Sequence, residues 1–428
     1  MSVSYSQNEK WKKYETEITR CYIFRIDENK SIPIDGNNIL ASRNDITEWQ
    51  LIKYKEYTLS KGKHILSIRR GSKKTDYGTP NIDYIDFNVQ EIKETPVERD
   101  IDMPTNDFHT FLQYLYITDE PETVEYYVGG IEDLSRPKGN LLDFSDSIKE
   151  NSDSYIIQIS TSKYFNSSDT KTIENLNKTQ YIIKNLKLGQ TIFYRGGVNK
   201  NDIEDSKIYE LKVNTIAPRN IDIPGIDNCR DIGGVKTTLV KNGIIKQGLY
   251  FRSAKLDPIK KEGKKVMTED LGIKVEIDLR GESENKGPYV DGVEYCPISI
   301  PSDSELSKFD DFKKEYYKIF DLISNADKKP IILHCSAGAD RTGLMTFALM
   351  SLLGCEYNDM LRDYSFINFG ADGSRDGSDF AKWWKKLNNL KGETIAEKSK
   401  NWLLSKGIEE EKLEHIREIF IDNYKKGN

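Results

Sequence analysis

The chain has 428 residues, 31% of them charged, and a formal net charge of -6; it is too long for one ordinary core and gives no reason to expect nucleic-acid binding. Five cysteines at irregular spacing describe no disulfide framework, and no apolar run approaches the length of a membrane span. Met1 to Tyr5 lack the charged-then-apolar pattern of a secretory leader, so the chain as written reads as cytoplasmic, or as secreted or surface-associated if a leader has been removed.

Residues 1–217 are rich in Tyr, Ile, Asn, Lys and Ser, in short alternating stretches broken by turn residues, which reads as all-β. Within 1–97, Trp49-Gln50, the stretch 57–64 and the stretch 81–87 resemble the second half of a jelly-roll carbohydrate-binding module. Trp49, Tyr77 and Tyr84 are either sugar-stacking side chains or core aromatics. Pro96 and Pro104, among alternating acids and bases, mark a linker over 98–118. Strands are expected over 155–160, 181–186, 191–198 and 208–213, and the turn Asn185-Leu186-Lys187-Leu188-Gly189-Gln190 resembles that of fibronectin type III domains, giving such a sandwich over 119–217. Ile192 stands where that family places its corner tyrosine, with Tyr194 two residues later.

Pro218 and Pro224 mark the start of a third region, 218–428. Strands are expected over 274–279 and 293–300, and the apolar run 330–333 reads as a buried parallel strand that delivers Cys335 to its carboxyl end, where α/β ligand sites lie. Beyond Arg341, residues Leu344, Phe347, Ala348 and Ser351 recur at helical spacing. The loop Cys335-Ser336-Ala337-Gly338-Ala339-Asp340 must therefore wrap into a helix N-terminus, with unpaired amides facing inward. An anion held there accepts backbone N–H bonds, and Arg341 adds a guanidinium fork that lysine could not supply. The same field favours the Cys335 thiolate. Gly338 permits the tight turn, Thr342 is placed to donate to the thiolate, and His334 orients the loop from behind.

The run His334-Cys335, five residues, Arg341-Thr342-Gly343 resembles the loop of the cysteine-dependent protein tyrosine phosphatase superfamily, and the resemblance implies a phosphocysteine intermediate with no metal or other cofactor. The blocks Asn228 to Gly234, Tyr250 to Ala254, Ile277 to Arg280 with Glu284, and Asp363-Tyr364 resemble the bacterial atypical tyrosine phosphatases that also hydrolyse phosphoinositides, over 219–428. The fold class expected is thus multidomain: all-β sandwich modules, then a C-terminal α/β phosphatase domain with a central, mostly parallel sheet flanked by helices.

The resemblance also implies an acid inside the cradle. Asp340 lies beside Arg341, and next to a phosphate dianion its protonated form is favoured, as a general acid requires. Asp278 competes for that role or pairs electrostatically with Arg341; Asp303 and Asp310 are weaker candidates. Arg230 and Asp231 read equally as pocket wall or as a structural turn. Relatives that prefer phosphoinositides carry a lysine where this chain has Ala339, so phosphotyrosine on a protein leads over a phosphoinositide or inositol phosphate. Against turnover stand two other classes: a binder that captures phosphorylated ligands without hydrolysis, and a surface protein whose work is glycan or protein contact through 1–217.

The remaining side chains read blandly. Cys229, Cys296 and Cys355 are expected as small buried hydrophobes. His64, His109 and His415 have no second ligand at metal spacing. The glycine-rich stretch 370–377 is a lid or an insertion, and Trp383, Trp384 and Trp402 with Leu413, Ile416, Ile419 and Phe420 fall on helices expected to pack over the catalytic sheet.

Overall fold

The computed structural model describes residues 136–137, 139–166, 168–301, 310–369, 375 and 377–425, together with the backbone of six strands within residues 2–86. The chain divides into two compact units, Met1–Asp102 with Asp119–Tyr127, and Met103–Thr118 with Val128–Asn428. In the first unit, Trp49–Lys53, Ser2–Ser6 and Asn81–Asp86 form one antiparallel sheet in that order, and Lys30–Pro33, Tyr22–Ile26 and Leu66–Arg70 form a second. The side chains of Trp49 and Tyr84, and all of His64, Tyr77, His109 and the segment 98–118, lie outside the described residues.

The second unit begins with six strands: β1 (Asn140–Asp143), β2 (Tyr155–Ser160), β3 (Thr170–Leu176), β4 (Gln180–Ile183), β5 (Thr191–Gly197) and β6 (Tyr209–Lys212). They pair as β4-β1 and as β6-β5-β2-β3, all antiparallel. In β2 the period of two is explicit: Tyr155, Ile157 and Ile159 are buried and join Leu142, Phe144, Ile192 and Tyr194 in one core. Tyr194 stacks on Tyr209 with ring centroids 4.9 Å apart, and its hydroxyl donates to the Asp143 carbonyl at 3.2 Å.

Six of the strands that follow build the main sheet: β7 (Arg219–Asn220), β8 (Arg230–Asp231), β9 (Tyr250–Ser253), β10 (Val275–Asp278), β11 (Glu294–Pro297) and β12 (Ile331–His334). They form one sheet in the order β7-β8-β9-β12-β10-β11. β9, β12, β10 and β11 run parallel, while β7 and β8 extend the edge antiparallel. All four residues of β9, of β10 and of β12 are buried, as expected of central strands covered on both faces.

Alternation splits the core in two. Val275, Ile277, Ile331 and Leu333 face the helices α1 (Lys313–Ser324), α2 (Asp340–Leu352), α3 (Tyr357–Ser365), α4 (Ser378–Asn388), α5 (Ile395–Ser405) and α6 (Glu410–Phe420). Ile332 and Phe251 face the opposite cluster, built on Ile221, Ile223, Leu256, Ile273, Val290 and Val293. α2 is buried from Arg341 to Leu352, so it is a central helix with no solvent face. Trp383 and Trp402 are core residues, the former packed on Phe347 and Tyr364. The aromatics of α4 thus cover α2 and form no exposed rim.

Candidate active site

β12 ends at His334, and α2 starts five residues after Cys335, so the chain between them must reverse around a small volume at the strand's end. Gly338 makes the turn possible. Its φ is +72°, and a Cβ there would lie 2.4 Å from the Ser253 carbonyl oxygen. Cys335 sits at the base of the loop, 3% exposed, while Ser336 and Ala337 are half-buried. Among the described residues, the amides of Ser336, Ala337, Gly338 and Ala339 donate to no acceptor. Unpaired N–H groups at a helix N-terminus form an anion cradle.

The rim carries two ion pairs. The Arg341 guanidinium donates to Glu284 Oε2 at 3.1 Å, to Ser336 Oγ at 3.0 Å and to the Leu279 carbonyl at 3.5 Å. Ser336 Oγ in turn donates to Glu284 Oε1 at 2.9 Å. The hydrogen bonds from Arg341 and then Ser336 hold the Glu284 carboxyl down at about 2, from an ordinary 4.5. The second pair is Asp340 with Arg375, whose Nε and terminal nitrogen donate to the two carboxylate oxygens at 2.8 and 2.9 Å. Asp340 is thus at the loop, where the sequence puts it, and it is already engaged.

Behind the loop everything is buried. Arg252 donates to the Gly338 carbonyl at 2.6 Å and to Asp363, and the Asn228 amide donates to the Ala337 carbonyl at 3.1 Å. Arg230 Nε donates to Asp363 Oδ1 at 2.8 Å, and its terminal nitrogens to the Asp363 carbonyl at 2.5 Å and to Asn228 Oδ1 at 2.6 Å. Burial, then the neighbouring Arg252 charge, lowers Arg230 to about 10. Burial opposes ionisation of Asp363, yet Arg230 and Arg252 hold it below the usual carboxylate range. His334 is fully buried, with Nε2 at 3.0 Å from Glu276 Oε1 and Nδ1 at 3.3 Å from the Cys335 carbonyl. It braces the loop from below.

Four sequence expectations are corrected. Arg230 and Asp231 are not on the pocket wall: Arg230 lies in the buried network, and Asp231 accepts from Arg219 at 2.8 Å and from the amides of Gly233 and Gly248 at 2.8 and 2.6 Å. Because Arg219 also donates to the Leu186 and Asn185 carbonyls at 2.9 and 2.5 Å, Asp231 ties the β1–β6 sandwich to the sheet. Asp278 does not reach Arg341. It shares a strand face with Glu276 and His334, opposite the helices, and its carboxylate accepts from Arg280 at 3.0 and 2.9 Å and from Tyr295 at 3.2 Å. Burial pushes it up, but the Arg280 bonds leave it below the ordinary range. Thr342 Oγ1 is buried without a hydrogen-bond partner, so the bond to the Cys335 sulfur is not formed.

Asp310 is taken by Lys406 at 2.8 Å, and Asp303 lies outside the described residues, as does the stretch 370–377 apart from Arg375 and Gly377. Cys229 and Cys355 are buried and their thiols pushed up by that burial; Cys296 is only half-buried. Glu276, Asp278 and His334 bring donor atoms within 4.8 Å of one another. A cation there would have to displace the Arg280 fork from Asp278, so the cluster is not shaped to hold one.

Glu276, Arg252, Asn228 and Arg375 were missed as loop partners. A charged residue inside an apolar strand, as Arg252 and Glu276 are, signals a buried pair; nothing local in the sequence flags Arg375.

Residues 221–420 match the model of a family described as the tyrosine phosphatase family. Among solved structures, the chain is similar to the core catalytic domain of the PP-IP phosphatase Siw14 from S. cerevisiae in complex with citrate, at 16% identity over 34% of this chain and 92% of that one, TM-score 0.25. It is also similar to a variant of P. aeruginosa TpbA in complex with pTyr, at 17% identity over 33% of this chain and 84% of that one, TM-score 0.24. No curated protein matches the chain. With the family match lying on the segment that carries the loop, the chain is a cysteine-dependent phosphatase.

Proposed function

We propose that the chain is a protein-tyrosine phosphatase in which Cys335 is the nucleophile, Arg341 the phosphate clamp and Asp340 the general acid. The supporting observation is the conjunction of a cysteine at the base of a loop of unpaired amides with a guanidinium at its rim. The Cys335 thiolate attacks phosphorus, the bond from phosphorus to the tyrosyl oxygen breaks, and protonated Asp340 gives its proton to that oxygen. Water then attacks the phosphocysteine, the sulfur–phosphorus bond breaks, Asp340 takes the water proton, and phosphate leaves with the thiolate restored. Ser336, Ala337, Gly338, Ala339 and Thr342 bind the phosphoryl oxygens through backbone and hydroxyl donors, while Arg341 places two donors where charge accumulates in the transition state.

Ala339 favours a phosphomonoester on a protein over a multiply phosphorylated small molecule. Its side chain is a buried methyl group, which itself carries no charge to meet a second phosphate. Phosphate release from a phosphotyrosine peptide, a phosphoserine peptide, a phosphoinositide and inositol hexakisphosphate, compared side by side, tests the assignment. The phosphotyrosine peptide should have the highest kcat/KM; preference for either inositol compound contradicts it. The finer reading of residues 119–217 as fibronectin type III-like is supported by the two-stranded and four-stranded antiparallel sheets around one core.

A further inference from the structure

The contact between Asp340 and Arg375 poses a chemical problem for turnover. A carboxylate that accepts from a guanidinium at both oxygens has both acceptor positions taken, and protonation would forfeit one of the two charge-assisted bonds. The acid role requires that protonation. Arg375 is also not there by accident of a long side chain: its amide donates to Asn368 Oδ1 at 2.6 Å and its carbonyl accepts from Asn368 Nδ2 at 3.0 Å. Asn368 is fully buried in the 3-10 turn Phe366–Phe369 that follows α3, so this reciprocal pair fixes the backbone from which the guanidinium reaches the loop. The Arg375 side chain is 27% exposed, within reach of an anion entering from solvent.

We propose that Arg375 positions Asp340: its fork occupies both carboxylate oxygens while the cradle is empty and passes to the phosphoryl dianion when substrate enters, which frees Asp340 to act as the acid. The inference rests on Asp340 being that acid. It makes arming of the acid conditional on a bound phosphoryl group. Among the described residues, the other groups facing Asp340 are few. Arg341 follows it on α2. Tyr364, from α3, is pushed up by its own burial and then by the Asp340 charge, and feels Asp379 and Arg252 beyond it. The Cys335 charge acts on Arg375, whose own ionisation is favoured first by its bonds to Asp340. Arg375 is the one among them that hydrogen-bonds both oxygens of the carboxylate.

The experiment is the pH dependence of kcat/KM for a phosphotyrosine peptide, with its poor leaving group, and for an activated aryl phosphate, in the full chain. In Arg375→Gln the alkaline limb for the peptide should move to higher pH, because an opposite charge in contact has been removed. The limb for the activated ester should stay in place, and inhibition by inorganic phosphate should weaken several-fold. Arg375→Lys, which keeps the charge without the fork, should fall between, and serves if the glutamine variant does not fold. Asp340→Asn separates the two ideas. If it leaves the peptide's alkaline limb unchanged, Asp340 is not the acid and both readings fall. If it abolishes that limb while neither Arg375 variant moves it, only the Arg375 inference falls.

Discussion

The two sides of the phosphate loop are built from the same chemistry, arginine against carboxylate, and differ in burial. On the rim, Arg341–Glu284 and Arg375–Asp340 have side chains 10%/44% and 27%/31% exposed. Behind the loop, Arg230 and Arg252 are both fully buried around Asp363, itself 6% exposed. A half-exposed pair contributes little to stability and can be exchanged for a ligand. A buried one cannot be opened without leaving a charge stranded. The rear pairs therefore hold the backbone carbonyls of Ala337 and Gly338 in place, and the front pairs keep guanidinium groups where a phosphoryl oxygen can replace a carboxylate.

That comparison can be broken at either side. Cys335→Ser should lower turnover by roughly 10⁴-fold or more, the scale of removing a nucleophile, with an unchanged urea midpoint. Asp363→Ala should do the reverse in kind, costing about 3–5 kcal/mol in urea unfolding because two buried guanidinium groups lose their partner, and Asp363→Asn should cost less. Arg341→Lys should reduce kcat/KM by roughly 10²–10³-fold, as loss of a transition-state donor does, while stability changes by less than about 1 kcal/mol. If Asp363→Ala proved stable and Arg341→Lys unfolded the chain, the division into scaffold and exchangeable rim would be wrong.

The smallest effect concerns pH. The Glu284 carboxyl, held at about 2 in the folded chain against an ordinary 4.5, contributes stabilisation that is complete above 4.5 and is lost as pH falls from there through about 2. Glu284→Gln should flatten that part of the acid-unfolding curve and slightly lower the unfolding midpoint near neutrality, where the contribution is otherwise complete, an outcome measurable by circular dichroism.

How much of this was legible depends on the range of each interaction. The cradle is local: apolar strand, cysteine, glycine turn and helical periodicity lie within one stretch, and strand and helix formed where the pattern put them. Asp278 shows the limit. Its place at a strand end beside the loop was readable, but which face it points to depends on the register of β10 against β12, where Asp278 pairs with His334. That parity turned it toward Arg280 and away from α2. The partners of Arg341 and Asp340 come from 57 and 35 residues away in sequence, and no composition or periodicity encodes such pairing. Arg230 and Asp231 were ambiguous for the same reason, since a turn that anchors and a turn that binds have the same local sequence.

The central claim is a covalent phosphoryl group on Cys335. Rapid acid quench of the full chain turning over a phosphotyrosine peptide, followed by mass spectrometry of the peptide that contains Cys335, tests it most directly. The account predicts a phosphoryl adduct on that cysteine and none on Cys229, Cys296 or Cys355; phosphate release that continues in Cys335→Ser, with no adduct at any cysteine, would contradict it.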